Sequence, residues 1–353
     1  MNLEQRINAF VRLGEFLNQF SLDSIQKNER VLHNDLFFED FKHQILSAKE
    51  HNGWFTEDNV LYTLNGWSKL LNDNTIKQWL DKYHFNAIIE PKTVAIIMAG
   101  NIPLVGFHDF ISVLISGHKV LVKQSSNDQH LLPYLANYLE HVEPEFKGQI
   151  QFTNEKLEHF DAVIATGSNN TARYFEYYFK NKPSVIRKNR NSVAILTGKE
   201  TENDLIGLSE DIFRYYGLGC RNVSKLFVPK NYNFDAFFKA MYHWHPIINE
   251  NKYANNYDYN KAVYLMSEFN MLENGFLMIK EDESYASPIA TLFYEHYNDV
   301  EDLKAKLSTD KEYIQCIVSK GFDAHEVAFG QTQNPQLWDY ADGVDTIAFL
   351  LKL

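Results

Sequence analysis

The chain is poor in cysteine, has no long hydrophobic run and carries no surplus of positive charge. Only Cys220 and Cys316 occur in 353 residues. Two cysteines this far apart exclude a disulfide-stapled scaffold and fit a reducing, cytoplasmic compartment. The formal net charge is −12. A general nucleic-acid binder needs basic surface to displace counterions, so that class is excluded, although a local basic pocket for a phosphate-bearing ligand is not. The apolar run at residues 94–99 falls far short of the ~18 residues that span a bilayer. The N-terminus is not that of a secretory signal. Leu3, Ile7, Phe10, Val11 and Leu17 fall near one face of a helix instead. No internal repeat or low-complexity segment occurs, and the Gly-x-Gly-x-x-Gly dinucleotide fingerprint is absent.

What is present is an ordinary globular composition, 45% hydrophobic and 23% charged, with length for two domains or one large one. The 26 Phe and 20 Tyr supply core, with some available to line an apolar pocket. Residues 1–85 read as helices, with breaks at Asp58-Asn59 and Asn72-Asp73-Asn74. The texture then changes. Residues 93–99 form a continuous β-rich apolar run, the pattern of a strand buried on both faces. It ends in Gly100-Asn101-Ile102-Pro103. A helix is expected over 105–116, a strand over 119–123, a helix over 128–139 and a strand over 161–165. The last of these ends in Thr166-Gly167-Ser168-Asn169-Asn170, and another helix starts near Thr171. Such alternation predicts a parallel α/β sheet. Farther on, strands are expected at 192–196, 225–228, 287–294 and 313–318, with a helix over 205–216.

Parallel sheets of this kind bind ligands beyond the carboxyl ends of their strands. Asn101, Lys123 and Ser168 all lie there. Each also has a plainer reading: Asn101 and Ser168 as turn or cap residues, Lys123 as a solvated strand end. Cys220 follows two close glycines in Gly217-Leu218-Gly219-Cys220-Arg221-Asn222 and precedes a short apolar strand. Glycines let the backbone turn sharply and let a ligand approach, so the thiol is a candidate nucleophile. Its plainer reading is a small buried hydrophobe. Cys316 sits in an apolar strand and reads as core. His243 and His245 flank Trp244 but lack the carboxylate partner of a metal or general-base motif, and no metal site is expected.

Taken in order, these segments resemble the aldehyde dehydrogenase superfamily. Glu90-Pro91 followed by Gly100-Asn101-Ile102-Pro103 is similar to its Pro-Trp-Asn-Phe-Pro turn. Gly117 to Lys123 is similar to its Gly-Asn…Leu-Lys-Pro strand, with Gln124 where that family has proline. Thr166-Gly167-Ser168 is similar to its phosphate-contacting turn, and Cys220 to Val228 to its nucleophile segment, with Lys225 five positions on. Arg187-Lys188-Asn189-Arg190-Asn191-Ser192 and the Gly-Leu-Gly-Cys-Arg-Asn core resemble the acyl-CoA reductases of the LuxC family in particular. The likeness spans roughly residues 85–350.

The resemblance implies an α/β fold of the aldehyde dehydrogenase type. Its parts are a helical N-terminal region with a parallel open-sheet cofactor domain (1–192), an α/β catalytic domain (193–325), and a C-terminal segment (326–353) returning to the cofactor domain or to an oligomer interface. It implies Cys220 as nucleophile and Asn101 as oxyanion donor beside the Cys220 N–H. Lys123, Ser125, Gly167 and Ser168 become cofactor-binding residues, for NADPH or NADH. Hydrolytic members carry a glutamate where this chain reads Val185-Ile186-Arg187-Lys188-Asn189-Arg190. Without that base, water attack on an acyl-enzyme is slow, so the implied activity is reduction of an acyl-CoA, fatty in the LuxC family, to the aldehyde. The family's further glutamate aligns loosely with Glu283. A homo-oligomer and an acyl-transfer partner protein are also implied. Two alternatives stay open: an acyl-phosphate reductase using Arg187, Lys188 and Arg190 as an anion pocket, and a subunit that accepts an acyl group on Cys220 without reducing it.

Overall fold

Amphipathic spacing in the first 80 residues produces four helices in the computed structural model, which describes residues 1–85 and 90–353. They are α1 (Leu3–Leu17), α2 (Asn34–His51), α3 (Glu57–Leu70) and α4 (Asp73–Leu80). Asn2 and Gln5 cap α1 reciprocally, at 2.8 and 2.9 Å, which satisfies two N–H groups that a helix start leaves over. Asp58-Asn59 is not a break but the first turn of α3, where acidic residues favour the helix dipole. Asn72 does mark a boundary: its side chain accepts the Thr75 N–H at 3.0 Å as the N-cap of α4.

The β-rich texture that follows folds as β1 (Thr93–Ile97), α5 (Phe107–Ile115), β2 (Lys119–Lys123), α6 (Leu131–Val142), β3 (Ile150–Thr153), β4 (Ala162–Thr166), α7 (Asn169–Tyr178) and β5 (Ser184–Arg187). All five strands are parallel, in the order β3-β2-β1-β4-β5. Val94, Ala95 and Ile96 in the central strand are buried, as its unbroken apolar run requires. Helix α6 begins three residues later than expected because Ser125 to Asp128 closes a turn, with the Asp128 N–H on the Ser125 carbonyl at 3.1 Å. β3 and β5 escape a sequence reading because they are short and partly polar. From β1 the chain winds outward through β2 and β3, then returns to build β4 and β5 on the other side. This places the switch point of the sheet between β1 and β4.

A second sheet comprises β6 (Asn191–Ile195), β7 (Val223–Pro229), β8 (Met271–Glu273), β9 (Met278–Glu281), β10 (Thr291–Tyr297) and β11 (Ile314–Val318), in the order β11-β6-β7-β10-β9-β8. Only the β8–β9 pairing is antiparallel. Its helices are α8 (Glu202–Phe213), α9 (Asp235–Met241), α10 (Asn251–Met266) and α11 (Val300–Thr309). The strand expected at 287–294 starts only at Thr291. Its N–H turns back to the Pro288 carbonyl at 3.1 Å, and Ala290 has φ +62°.

The last helix, α12 (Thr346–Leu350), belongs to the first sheet's unit. Leu337, Tyr340, Ile347 and Leu350 are buried in that unit's core, and the Tyr340 hydroxyl accepts from Trp79 Nε1 at 2.7 Å. The chain thus divides into Met1–Lys188 with Gln336–Leu353, and Asn189–Pro335. The expected boundaries at 192/193 and 325/326 both fall inside the second unit. Among the described residues no helix is long and apolar enough to cross a membrane, and no group of three His, Cys, Asp or Glu side chains is placed to hold a metal ion.

Candidate active site

In the first unit, Ile97 pairs with Lys123 on one side and Ala165 on the other. The segments leaving β1, β2 and β4 therefore emerge side by side, on strands about 4.8 Å apart. This brings Asn101, Lys123, Ser125, Gly167 and Ser168 to one edge of one sheet. The loop that carries Asn101 is tightly held. A Cβ on Gly100 would lie 2.6 Å from Ser125 Oγ and 2.7 Å from Ser125 Cβ, so only glycine fits. Asn52, at the end of α2, donates to the carbonyls of Gly100 (3.3 Å) and Asn127 (3.2 Å), tying the two loops together. The Asp128 carboxylate accepts the N–H of Leu104 at 3.2 Å, where Leu104 takes a left-handed φ of +55°. Burial pushes the Asp128 carboxyl up to about 6, against that bond.

Each cofactor candidate has a definite place at this edge. Lys123 Nζ donates to the Glu155 carbonyl at 3.0 Å. Gln124, standing where proline is usual in the family it resembles, donates to the Asp128 carbonyl at 3.0 Å. Ser125 Oγ accepts the Asn127 N–H at 3.2 Å. Ser168 is the N-cap of α7, accepting the Thr171 N–H at 3.3 Å, and Gly167 packs against Thr171 and Phe175 with no room to spare. The positive end of α7 therefore lies at the carboxyl edge of the sheet, beside its switch point. Backbone N–H groups and a lysine there suit an anionic pyrophosphate.

The Cys220 loop belongs to the second unit. Helix α8 stops at Phe213 because Tyr215, Tyr216 and Gly217 all adopt left-handed backbone, at φ +55°, +60° and +74°. For two aromatic residues this is strained, by about 1–3 kcal/mol each. A β-turn follows, closed by the Asn222 N–H on the Gly219 carbonyl at 3.0 Å, with Cys220 exposed at its corner. Ser192 on β6 donates its hydroxyl to the Cys220 carbonyl at 3.0 Å. Behind the turn, Ser224 and Lys225 on β7 grip the 283–288 loop. Ser224 Oγ donates to the Tyr285 carbonyl and Lys225 Nζ to the Glu283 carbonyl, both at 2.7 Å. Lys225 is fully buried, with a second bond to the Glu295 carboxylate at 2.7 Å and the Phe227 and Tyr285 rings 5.0 Å away. Burial lowers its pKa, opposed by Glu295. Beside the loop, Phe213, Tyr216, Tyr253, Ser224, Ser287 and Thr291 help to line a small cleft of mixed polarity, with a cavity volume of about 30 Å³.

The basic trio does not form an anion pocket. Arg187 is buried and paired with Asp109 through both guanidinium nitrogens NH1 and NH2. Lys188 pairs with Glu176 at 2.8 Å, and Arg190 donates to the carbonyls of Lys311 and Ile314. His243 is anchored by Ser209 Oγ and the Ala240 carbonyl. Cys316 is buried, with Arg221 NH1 3.2 Å from its sulfur. Asn222 and Ser192 are the residues that sequence reasoning missed. The only available signal was an asparagine at the end of a glycine-rich turn.

The family model described as acyl-CoA reductase (LuxC) matches residues 16–240. No curated protein sequence matches the chain. Similar solved structures include the aldehyde dehydrogenase KauB from Pseudomonas aeruginosa, at 12% identity and TM-score 0.64, covering 92% of this chain and 78% of that one. Aldehyde dehydrogenase 21 from Physcomitrella patens, in complex with the reaction product succinate, gives 13% and 0.65 over 92% and 74%. A mutant aldehyde dehydrogenase C from Pseudomonas syringae, complexed with NAD+ and octanal, gives 11% and 0.61 over 91% and 77%. At these identities the likeness is one of fold.

Proposed function

The chain belongs to the acyl-CoA reductase (LuxC) family, and on that premise we propose that it reduces an acyl-CoA thioester to the aldehyde through an acyl-enzyme on Cys220, with NADPH as reductant. The observation that carries this reading is the exposed thiol at the corner of a β-turn whose backbone is fixed on both sides. The Cys220 thiolate attacks the thioester carbon, and the carbonyl electron pair moves onto oxygen. A donor held in place for that oxygen is worth about 3 kcal/mol in the barrier. The Cys220 N–H is the donor we assign, with the Asn101 amide carried from the family resemblance as the second. Collapse expels CoA as a thiolate, a good leaving group that needs little acid help.

A bound nicotinamide supplies the hydride for the second step. Once the acyl carbon has gained that hydride, the carbonyl electron pair rests on oxygen as a hemithioacetal oxyanion, which collapses to the aldehyde and expels the Cys220 thiolate. NAD+ in the Pseudomonas syringae neighbour supports this cofactor class. We assign the pyrophosphate to the Gly167-Ser168 turn and the N-terminus of α7, and the adenosine ribose side to Lys123 and Ser125. Lys123 gives the preference for a 2′-phosphate, so NADPH over NADH. Water attack is disfavoured because the segment that carries the hydrolytic glutamate elsewhere here holds Ile186 and Arg187, and the carboxylate beside it, Asp109, is bound to that arginine. Arg187, Lys188 and Arg190 each have their own partner, so this trio offers no anion pocket for a charged substrate such as an acyl phosphate. A homo-oligomer, and an acyl-donating partner protein, are carried with this reading.

The test is a coupled balance. With an acyl-CoA panel, NADPH loss should match free CoA and aldehyde one to one, and Cys220→Ala should abolish all three. NADH is run alongside. Acylation without NADPH consumption would support the non-reducing carrier instead, and full activity in Cys220→Ala would exclude both.

A further inference from the structure

Asn222 lies two residues past the thiol, immediately before β7, and is 2% exposed. Its side-chain NH2 donates to the carbonyls of Asp211 (3.1 Å), Ile212 (3.4 Å) and Arg214 (2.8 Å). These are carbonyls at the end of α8, which a helix leaves without internal partners. The same side chain's Oδ1 accepts the N–H of Gly219 at 2.8 Å, while its backbone N–H donates to the carbonyl of Gly219 at 3.0 Å. One residue therefore holds both polar groups of Gly219 and anchors them to the end of a helix.

The consequence falls on the next peptide. The Gly219 carbonyl and the Cys220 N–H belong to one planar trans unit and point in opposite directions. The backbone N–H of Asn222 holds that carbonyl, and the Asn222 side chain keeps the bond in register by gripping the Gly219 N–H and tying it to the end of α8; together they direct the Cys220 N–H away from the turn's interior. Left alone, a peptide between a glycine and an exposed corner residue turns over readily, since glycine tolerates either orientation. The strained left-handed run at Tyr215, Tyr216 and Gly217 also needs outside bonds to persist, and the Arg214 carbonyl held by Asn222 is the last group before it.

We propose that Asn222 is the positioning residue of the acyl-transfer step: it holds the Gly219–Cys220 peptide so that the Cys220 N–H faces the oxygen on which charge develops. This rests on the reading of Cys220 as the acyl-accepting nucleophile. It does not require Asn222 to touch substrate or to alter the thiol itself.

Two reactions of the same sulfur separate these roles. Alkylation by iodoacetamide is a displacement at carbon with no oxyanion. Acylation by an acyl-CoA passes through one. In Asn222→Ala, the rate constant for Cys220 acylation should fall ~100-fold, the loss typical of one oxyanion donor. Alkylation of Cys220 should stay within about threefold of wild type, with an unchanged pH midpoint, because an exposed thiol on a looser turn remains accessible. Asn222→Asp, nearly isosteric, can still accept from Gly219 but loses the three donations to the end of α8. It is measured in parallel in case the alanine variant does not fold, and its acylation should fall by a smaller but clear factor while alkylation stays near wild type. Acylation at the wild-type rate in either folded variant overturns the proposal, as does an equal loss in both reactions. A wild-type chain that alkylates but never acylates overturns the functional reading and this proposal with it, and is distinguishable from both.

Discussion

At the scale of single residues, what matters is which groups have no freedom to be anything else. Gly100 is one. A methyl group there would sit 2.6–2.7 Å from Ser125, so Gly100→Ala should cost about 1–3 kcal/mol through overpacking. The strain would also move the Asn101 and Ser125 loops against each other. Chemical denaturation should show the stability loss, and KM for NADPH should rise more than KM for acyl-CoA. An equal rise in both would remove Ser125 from the cofactor site. Cys220 itself was open to two readings in the sequence, reactive or inert. Its exposure at a turn corner removes the argument for a small buried hydrophobe. Cys316, in contrast, is the buried cysteine its apolar strand suggests.

At the scale of elements, legibility follows from how much of a segment's context is local. The central strands β1, β2 and β4 were readable because a strand buried on both faces must be apolar throughout. Edge strands β3 and β5 carry polar residues and were not. Helix α8 ends three residues short of the expected 216, because nothing in the apolar pattern announces two left-handed tyrosines after an Arg214 carbonyl held by an asparagine eight residues downstream. The Lys225 hook on the 283–288 loop is likewise a long-range contact that no periodicity encodes.

One element contact makes a pH prediction. His118, just before β2, accepts the Lys92 N–H on Nδ1 at 3.2 Å, so its Nε2 carries the proton that bonds the Leu350 carbonyl of α12 at 2.9 Å. Burial is the main cause holding its pKa below the ordinary value, opposed by the Leu350 bond. The unfolded chain titrates near ~6.5, above the folded value. Between the two, the unfolded state binds more protons, so stability rises with pH. The His118 contribution is complete above the unfolded value and is lost as pH falls through the folded one. Unfolding free energy should therefore drop on acidification in that window, and the drop should be shallower in His118→Ala. Parallel profiles would contradict the assignment.

At the scale of the whole molecule, the architecture was legible because alternating buried strands and helices admit few topologies. The return of the C-terminal segment to the first unit is one of the two places the family resemblance implies. The order of strands, and the burial of Leu337, Tyr340, Ile347 and Leu350 in particular, were not legible, since both depend on contacts across most of the chain. The anion pocket suggested by Arg187, Lys188 and Arg190 failed for the same reason: the sequence places three cations together, while the fold gives each its own partner.

The proposed chemistry requires Cys220 to carry an acyl group that leaves by reduction. Intact-mass measurement after incubation with an acyl-CoA, first without and then with NADPH, tests it directly. A single acyl adduct, mapped to Cys220, should form and should disappear on NADPH addition as aldehyde appears. An adduct that persists in NADPH, or that resides on another residue, would contradict it.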